Sequence, residues 1–381
     1  MGPLFSSIEF DATGSMEGLM GAIERAINIM GAQSLFIMSG DGNDLPTERI
    51  SEYIATLDIP VCGGIFPQII HQQHTYERGN VVCAMDASTP IAVLKGLGTC
   101  TAHDVTTAIA DHRGLNIAPS YMVLAAGASA RIDTFIQQLG LILDPGKPVL
   151  GATAGSLDMP AKPCLITAEG IISDAAVVMG LHTPVSIGIG HGWQPATGPF
   201  IVTRSQDSEV VTLDHRPAFD VYRDAVEPLA SLSFDHTDFT TIADRFPLAI
   251  DACDRHHVIQ EPIQVSGGAL LCTGHIPEHS TVYIAQGQAE TVITAALEGA
   301  YAAHGDPQYA LAERNTIIFS SIRRQQYLKE KFNAELAGLW AAAPAQPELI
   351  GALGMGQIAR SPEGTLRVFH RAAVTGVSAG H

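Results

Sequence analysis

Tyr121-Met-Val-Leu-Ala125, an apolar run that turns at Gly127, decides the fold. An amphipathic stretch from about Ile132 to Leu143 follows it, with the spacing of a helix that buries one face. Lys147-Pro-Val-Leu150 then reads as a second strand, which breaks at Gly151-Ala-Thr-Ala-Gly155. Apolar runs at Cys164–Ile166 and Ala175–Leu181 complete the unit. The order is strand, helix, strand, glycine break and two further strands.

The same order appears upstream and downstream. Upstream, Ser34-Leu-Phe-Ile-Met38 ends at Ser39-Gly40, and Ile50, Ile54 and Leu57 mark a helix from about Thr47. Ile59-Pro-Val-Cys62, a Gly63-Gly64 break and Gly79-Asn-Val-Val-Cys-Ala-Met85 follow. Downstream, Thr316-Ile-Ile-Phe319 precedes a helix predicted from about Gln326 to Trp340. Pro347-Glu-Leu-Ile350, Gly351-Ala-Leu-Gly-Met-Gly356 and runs at Thr365–His370 and Ala373–Val377 close that copy. Common α/β units with ordinary turns give any one such run, but three in one order point to an internal repeat. The expected fold class is α/β, with two lobes built from repeated β-α-β-β-β units and mixed sheets. Leu35, Val123 and Ile317 should stand at corresponding places in it.

Between the second and third copies the pattern changes. Thr203 to Asp214 reads as a hairpin region, Pro217 opens a short helix, and Pro228 to Asp244 is polar without a strong period. Residues 270–274 and 281–285 read as strands, and Gln288 to His304 as an alanine-rich helix. The resulting division is an N-terminal extension at 1–30, a two-repeat domain at 31–215 and a one-repeat domain at 216–378.

Composition bounds the function. In 381 residues, 46% are hydrophobic and 16% charged, enough apolar material for well-packed interiors. The formal charge of −18 repels phosphate backbones and anionic lipid, so neither a nucleic-acid nor a membrane partner is expected. No apolar run reaches the roughly 18 residues that span a bilayer. The six cysteines include no pair at redox or zinc spacing, which together with the absence of a signal segment predicts a cytoplasmic protein.

His191-Gly-Trp-Gln-Pro-Ala-Thr-Gly198 with Val202-Thr203 is similar to the Gly-Trp-x-Pro…Val-Thr segment of FIST sensory domains, and Val211-Thr-Leu-Asp-His-Arg-Pro-Ala-Phe-Asp-Val-Tyr222 resembles that family's junction between its N- and C-terminal halves. Pro277-Glu278, Phe319-Ser-Ser-Ile-Arg-Arg324, Gly354-Met-Gly-Gln-Ile358 and Phe369-His370 extend the likeness over roughly residues 30 to 378. The family's usual Cys-Ile-Gly-Arg is here Ser321-Ile-Arg-Arg324, its Glu is here Gln357, and its Asn after Phe-His is here Arg371. Gln260 stands where a basic residue is usual. The resemblance implies a sensory module for a small-molecule ligand. It also implies, from one subgroup, haem-based nitric oxide sensing that acts on a histidine kinase or a cyclic-diguanylate enzyme. Because the likeness fills the chain, signalling through a separate partner is expected, with a homodimer as an open assembly state. The alternative is a hydrolase or lyase of small metabolites.

Several residues are candidates for contact with a ligand. The glycine loops with Gly63, Gly64, Thr153, Gly155, Gly356 and Gln357 either offer backbone N–H groups to a polar ligand or are tight turns. Arg324 either clamps a carboxylate with its planar fork or closes an internal salt bridge with Glu335, and Ser321 ends a strand beside it. His191, between two glycines and just before Trp193, is the first candidate for a haem ligand with Trp193 as an aromatic wall; His370 is the second. Each could equally be a hydrogen-bonded structural histidine. His71, His74, His256, His257, His275 and His279 lack companions at metal spacing. Gly188, Gly190 and Gly192 are not a dinucleotide fingerprint, since Trp193 and Pro195 follow instead of a helix. No nucleophile elbow is present, so no catalytic residue is assigned.

Overall fold

A computed structural model describes the chain except residues 1–2, 44, 130, 159–161, 252–256, 306–314, 343–347 and 379–381. The first unit runs β1 (Ser7–Asp11), α1 (Met16–Asn28), β2 (Ser34–Gly40), α2 (Thr47–Ile54), β3 (Val61–Phe66), the hairpin β4 (Gln68–His71) and β5 (His74–Tyr76), and β6 (Asn80–Met85). The second repeats it with β7 (Ile91–Lys95), α3 (Ala102–Ala110), α4 (Arg113–Ile117), β8 (Ser120–Ala126), α5 (Ile132–Ile142), β9 (Val149–Ala154), the hairpin β10 (Leu165–Thr167) and β11 (Gly170–Ile172), and β12 (Ala175–Leu181).

The third unit opens with β13 (Val185–Gly190) and is then interrupted by an insertion. Its elements are β14 (Gln194–Gln206), β15 (Glu209–Leu213), β16 (Arg216–Pro217), α6 (Ala218–Ala230), α7 (Phe239–Ala243), β17 (Leu248–Ile250), β18 (Val258–Gln260), β19 (Pro262–Ser266), β20 (Ala269–Cys272) and β21 (Thr281–Gln286). The unit resumes with α8 (Ala289–His304), β22 (Thr316–Ser321), α9 (Ile322–Leu328) and α10 (Phe332–Ala342). It ends with β23 (Leu349–Gly354), the hairpin β24 (Gln357–Arg360) and β25 (Leu366–Phe369), and β26 (Ala373–Ser378).

The repeat is present and larger than its sequence signature. Three six-stranded sheets have the orders β1-β6-β2-β3-β10-β11, β7-β12-β8-β9-β24-β25 and β13-β26-β22-β23-β4-β5. Each has one parallel pair at its centre, reached through a crossover helix, and antiparallel neighbours elsewhere. In every sheet the two strands beyond that pair are the hairpin of another unit. The first unit lends β4–β5 to the third sheet, the second lends β10–β11 to the first, and the third lends β24–β25 to the second. The exchange closes into a ring.

Register makes the equivalence quantitative. Gly63, Gly151 and Gly351 each sit between the same two neighbours: Ile37 and Ile166, Val123 and Ile358, Ile318 and Ile70. A Cβ there would lie 1.9, 1.7 and 1.9 Å from the carbonyl oxygens of Ile37, Val123 and Ile318, so only glycine fits. Of the glycine breaks read from sequence, Gly63, Gly64, Gly151 and Gly351 are thus residues inside β3, β9 and β23, whereas Gly155 and Gly356 stand just past the ends of β9 and β23. Of the expected trio, Val123 is correct, while its true counterparts are Ile37 and Ile318; Leu35 and Ile317 stand two and one residues early in β2 and β22.

One face of each sheet turns inward to a shared core, where Phe36, Met38, Met122, Leu124, Ile317 and Phe319 meet. The outer faces are covered by α1 and α2, by α3 and α5, and by α8 and α10. Because both faces are buried, β2, β8, β12 and β22 are continuous apolar runs rather than alternating ones. Residues 1–30, read as an extension, belong to this body: β1 pairs with β6, and α1 buries Leu19, Ala22, Ile23 and Ala26. The insertion forms an eight-stranded sheet around its own core of Val202, Leu213, Tyr222, Phe246 and Ile284. Among the described residues, no helix is long and apolar enough to cross a membrane.

Candidate functional site

A cleft of about 410 Å³ opens between the insertion and the third unit. Thr241, Asp244 and Arg245 supply one wall from α7 and the turn after it. Arg323, Gln326 and Tyr327 supply the other, and their spacing of three and four residues puts them on one face of α9. Lys329 ends that helix at φ +51°, and Arg371, in the link between β25 and β26, adopts φ +55°. Both are left-handed conformations that L side chains rarely take. Ser321 is the N-cap of α9, its hydroxyl accepting the Arg323 N–H at 3.2 Å.

Under the cleft lies a buried charge network. Arg371 donates to Glu261 Oε1 at 2.6 Å, to the Asp244 carbonyl at 2.6 Å and to Asp244 Oδ1 at 3.2 Å. Its own carbonyl accepts from Arg324 Nη1 at 3.0 Å. Arg324 is fully buried and donates also to the carbonyls of His191 (2.8 Å) and Val292 (2.8 Å) and to both oxygens of Glu335 (3.3 and 2.6 Å). These bonds use all five of its N–H groups. Arg324 is therefore an internal tie between β13, α8, α10 and the Arg371 link, and the ligand clamp expected there is ruled out. Burial pushes the Glu335 carboxyl up, and Arg324 pulls it partway back. Trp193, wholly buried, lies with the guanidinium carbons of Arg371 and Arg324 5.2 and 5.9 Å from its ring and Tyr327 5.3 Å away. Burial raises the Tyr327 hydroxyl, which donates to the Gly287 carbonyl at 2.6 Å.

The remaining expected site residues lie elsewhere. Gly63 and Gly64 are inside β3, Thr153 is the penultimate residue of β9, and Gly155 follows that strand; none of them lines the cleft. The Thr153 hydroxyl accepts the Gly356 N–H at 2.8 Å, locking the borrowed hairpin to β9. Gln357 is wholly buried in β24, with its amide donating to the Gly354 carbonyl at 3.3 Å.

His191 does not stand in a roomy loop. Gly188, Gly190 and Gly192 press against α8, where a Cβ would meet the carbonyls of Gly299, Ala295 and Thr291 at 1.7, 1.9 and 2.5 Å. A period-two glycine stripe on a strand meets a period-four stripe on a helix, and the close approach serves packing. The His191 Nδ1 accepts the Trp193 N–H at 3.1 Å, and the residue is buried. His370 is half-buried in the bend before Arg371. Among the described residues no group of three or more His, Cys, Asp or Glu side chains could hold a metal ion. Burial pushes the thiols of Cys62, Cys164 and Cys272 up to about 12, which leaves them inert near neutral pH. Cys253 and His256 lie outside the described residues.

The sequence reading missed Thr241, Asp244, Arg245, Arg323, Gln326, Tyr327 and Lys329 as site residues. Helical phase carried a usable signal for three of them, because Arg324 and Leu328 share one face of α9 and Arg323, Gln326 and Tyr327 the other.

A search of curated proteins returns no match. The family model described as the FIST N domain matches residues 6–216, and the one described as the FIST C domain matches residues 218–360. The boundary between the two falls inside the insertion, at the turn where Leu213 pairs with Arg216. With both models matched over most of its length, the chain belongs to the FIST family, whose domains sense small ligands in signalling proteins.

Proposed function

We propose that this chain is a small-ligand sensor that seats its ligand in the cleft between the insertion and the third unit and signals to a separate partner. The observation that carries the reading is the position of Arg371. It lines the cleft and is bonded, through its carbonyl, to the buried Arg324 that ties β13, α8 and α10 together. A ligand that shifts the Asp244–Arg371–Glu261 contacts shifts a strut of the three-sheet body, which is the kind of two-site coupling that sensing requires. Clefts between packed units are also where ligand sites concentrate. A histidine kinase or a cyclic-diguanylate enzyme is the class of partner that the family resemblance suggests.

The ligand in this reading is a small polar molecule, since the polar and charged side chains of Asp244, Arg245, Arg323 and Gln326 line the cleft. Mass spectrometry of molecules released when the purified chain is denatured tests the proposal. Thr241 is exposed, so Thr241→Trp should fill the cleft without disturbing the fold. A molecule carried by the parent and lost from Thr241→Trp is the expected result. Equal loads in the two proteins would remove the cleft from consideration.

A further inference from the structure

We infer, on the reading that the cleft is the sensing site, that its ligand is a small anion bearing a carboxylate or phosphate, held by Arg323, Arg245 and Lys329. The chain carries a formal charge of −18, yet this concavity reverses the sign. Four cations (Arg245, Arg323, Lys329 and Arg371) face two carboxylates, Asp244 and Glu261, an excess of two positive charges. Both carboxylates are already engaged by the buried Arg371, at 3.2 and 2.6 Å.

Arg323 stands 3.9 Å from Asp244 and 3.6 Å from Glu261, beyond the length of a charge-assisted hydrogen bond, and its side chain is 40% exposed. Its fork is steadied by Nη1 donating to Gln326 Oε1 at 3.2 Å. Among the described residues neither Arg245 nor Lys329 has a carboxylate within ion-pair distance. Two cations without a carboxylate partner among the described residues, and a third held only loosely by two carboxylates that Arg371 already engages, therefore converge on one cavity, at a cost in mutual repulsion that an anion removes.

Backbone geometry points the same way. Lys329 is at φ +51° and ψ −126°, and Arg371 is at φ +55°. Two basic residues in left-handed conformations on one cleft are placed there by their surroundings, as functional strain commonly is. A planar guanidinium at 40% exposure matches two oxygens of a carboxylate or phosphate, and the cavity of about 410 Å³ holds a metabolite-sized molecule.

Isothermal titration of the full chain with inorganic phosphate, malonate and uncharged malonamide tests the inference. The parent should bind phosphate or malonate saturably and malonamide not at all, and the tighter of the two anions identifies the source of the oxyanion. Arg323→Gln combined with Arg245→Gln should weaken that binding by roughly tenfold or more, while exposed Arg49→Gln leaves it unchanged. The melting midpoint of the ligand-free double variant checks its fold. Undiminished anion binding by the double variant overturns the inference, as does silence with both anions. Malonamide binding as tightly as malonate, abolished by Thr241→Trp, overturns the anion assignment and leaves the cleft as the sensing site.

Discussion

Arg324 is fully buried and makes two bonds to Glu335 and three to backbone carbonyls, so its replacement is a test of stability and not of binding. Lys keeps the charge and loses the fork, which leaves two or three buried acceptors unpaired. Arg324→Lys should lower unfolding free energy by roughly 3–5 kcal/mol, the range for breaking a buried pair, measured by urea denaturation. A loss below about 1 kcal/mol would show that the network is slack. The pair with Glu335 was legible in the sequence, but which of the adjacent arginines faces the cleft was not. The helix was expected to begin at about Gln326, which left Arg323 and Arg324 outside it and without helical phase; α9 in fact starts at Ile322. Thr241, Asp244 and Arg245 left no trace, because a five-residue helix in a polar stretch has no period to detect. Arg371 was visible only as a departure from the family's usual Asn, and Arg323 stands where that pattern has Gly; both departures add positive charge to the same cleft.

At the scale of the element, the glycine inside each central parallel pair is the most demanding requirement. Gly151→Ala puts a methyl 1.7 Å from the Val123 carbonyl, in a strand with both faces buried. It should cost roughly 3 kcal/mol, at the upper end for overpacking, with Gly63→Ala and Gly351→Ala alike. Gly146→Ala, whose Cβ would meet nothing nearer than 3.5 Å, should stay within about 0.5 kcal/mol of the parent. Equal urea midpoints for Gly151→Ala and Gly146→Ala would refute the register. The repeats were legible because strands buried on both faces give unmistakable apolar runs. Their glycines were misread as loops, since a glycine in a strand normally weakens it. The lent hairpins were mostly missed, for strands of three or four residues carry little pattern. β1 hid its membership in Ser7-Ile-Glu-Phe-Asp11, which is half polar, and β13 is separated from α8 by the whole insertion.

For the molecule as a whole, the exchange of hairpins sets the unit of stability. Residues 6–216, the match to the FIST N domain, contain β9 without its neighbour β24, β4 and β5 without β23, and β13 without β26. Expressed alone, this fragment should show no cooperative urea transition as a monomer, read by near-ultraviolet circular dichroism and size exclusion. A monomeric fragment that unfolds cooperatively would separate the domains that the ring joins. The same ring also orders events in time. The hairpin β4–β5 leaves the ribosome early, and its partner β23 is among the last strands made. The first sheet is complete once β11 has emerged, but the other two have gaps until synthesis is nearly over. A nascent chain therefore carries exposed strand edges for most of its synthesis, the condition under which chaperone dependence and aggregation arise, and only its final stretch closes the body.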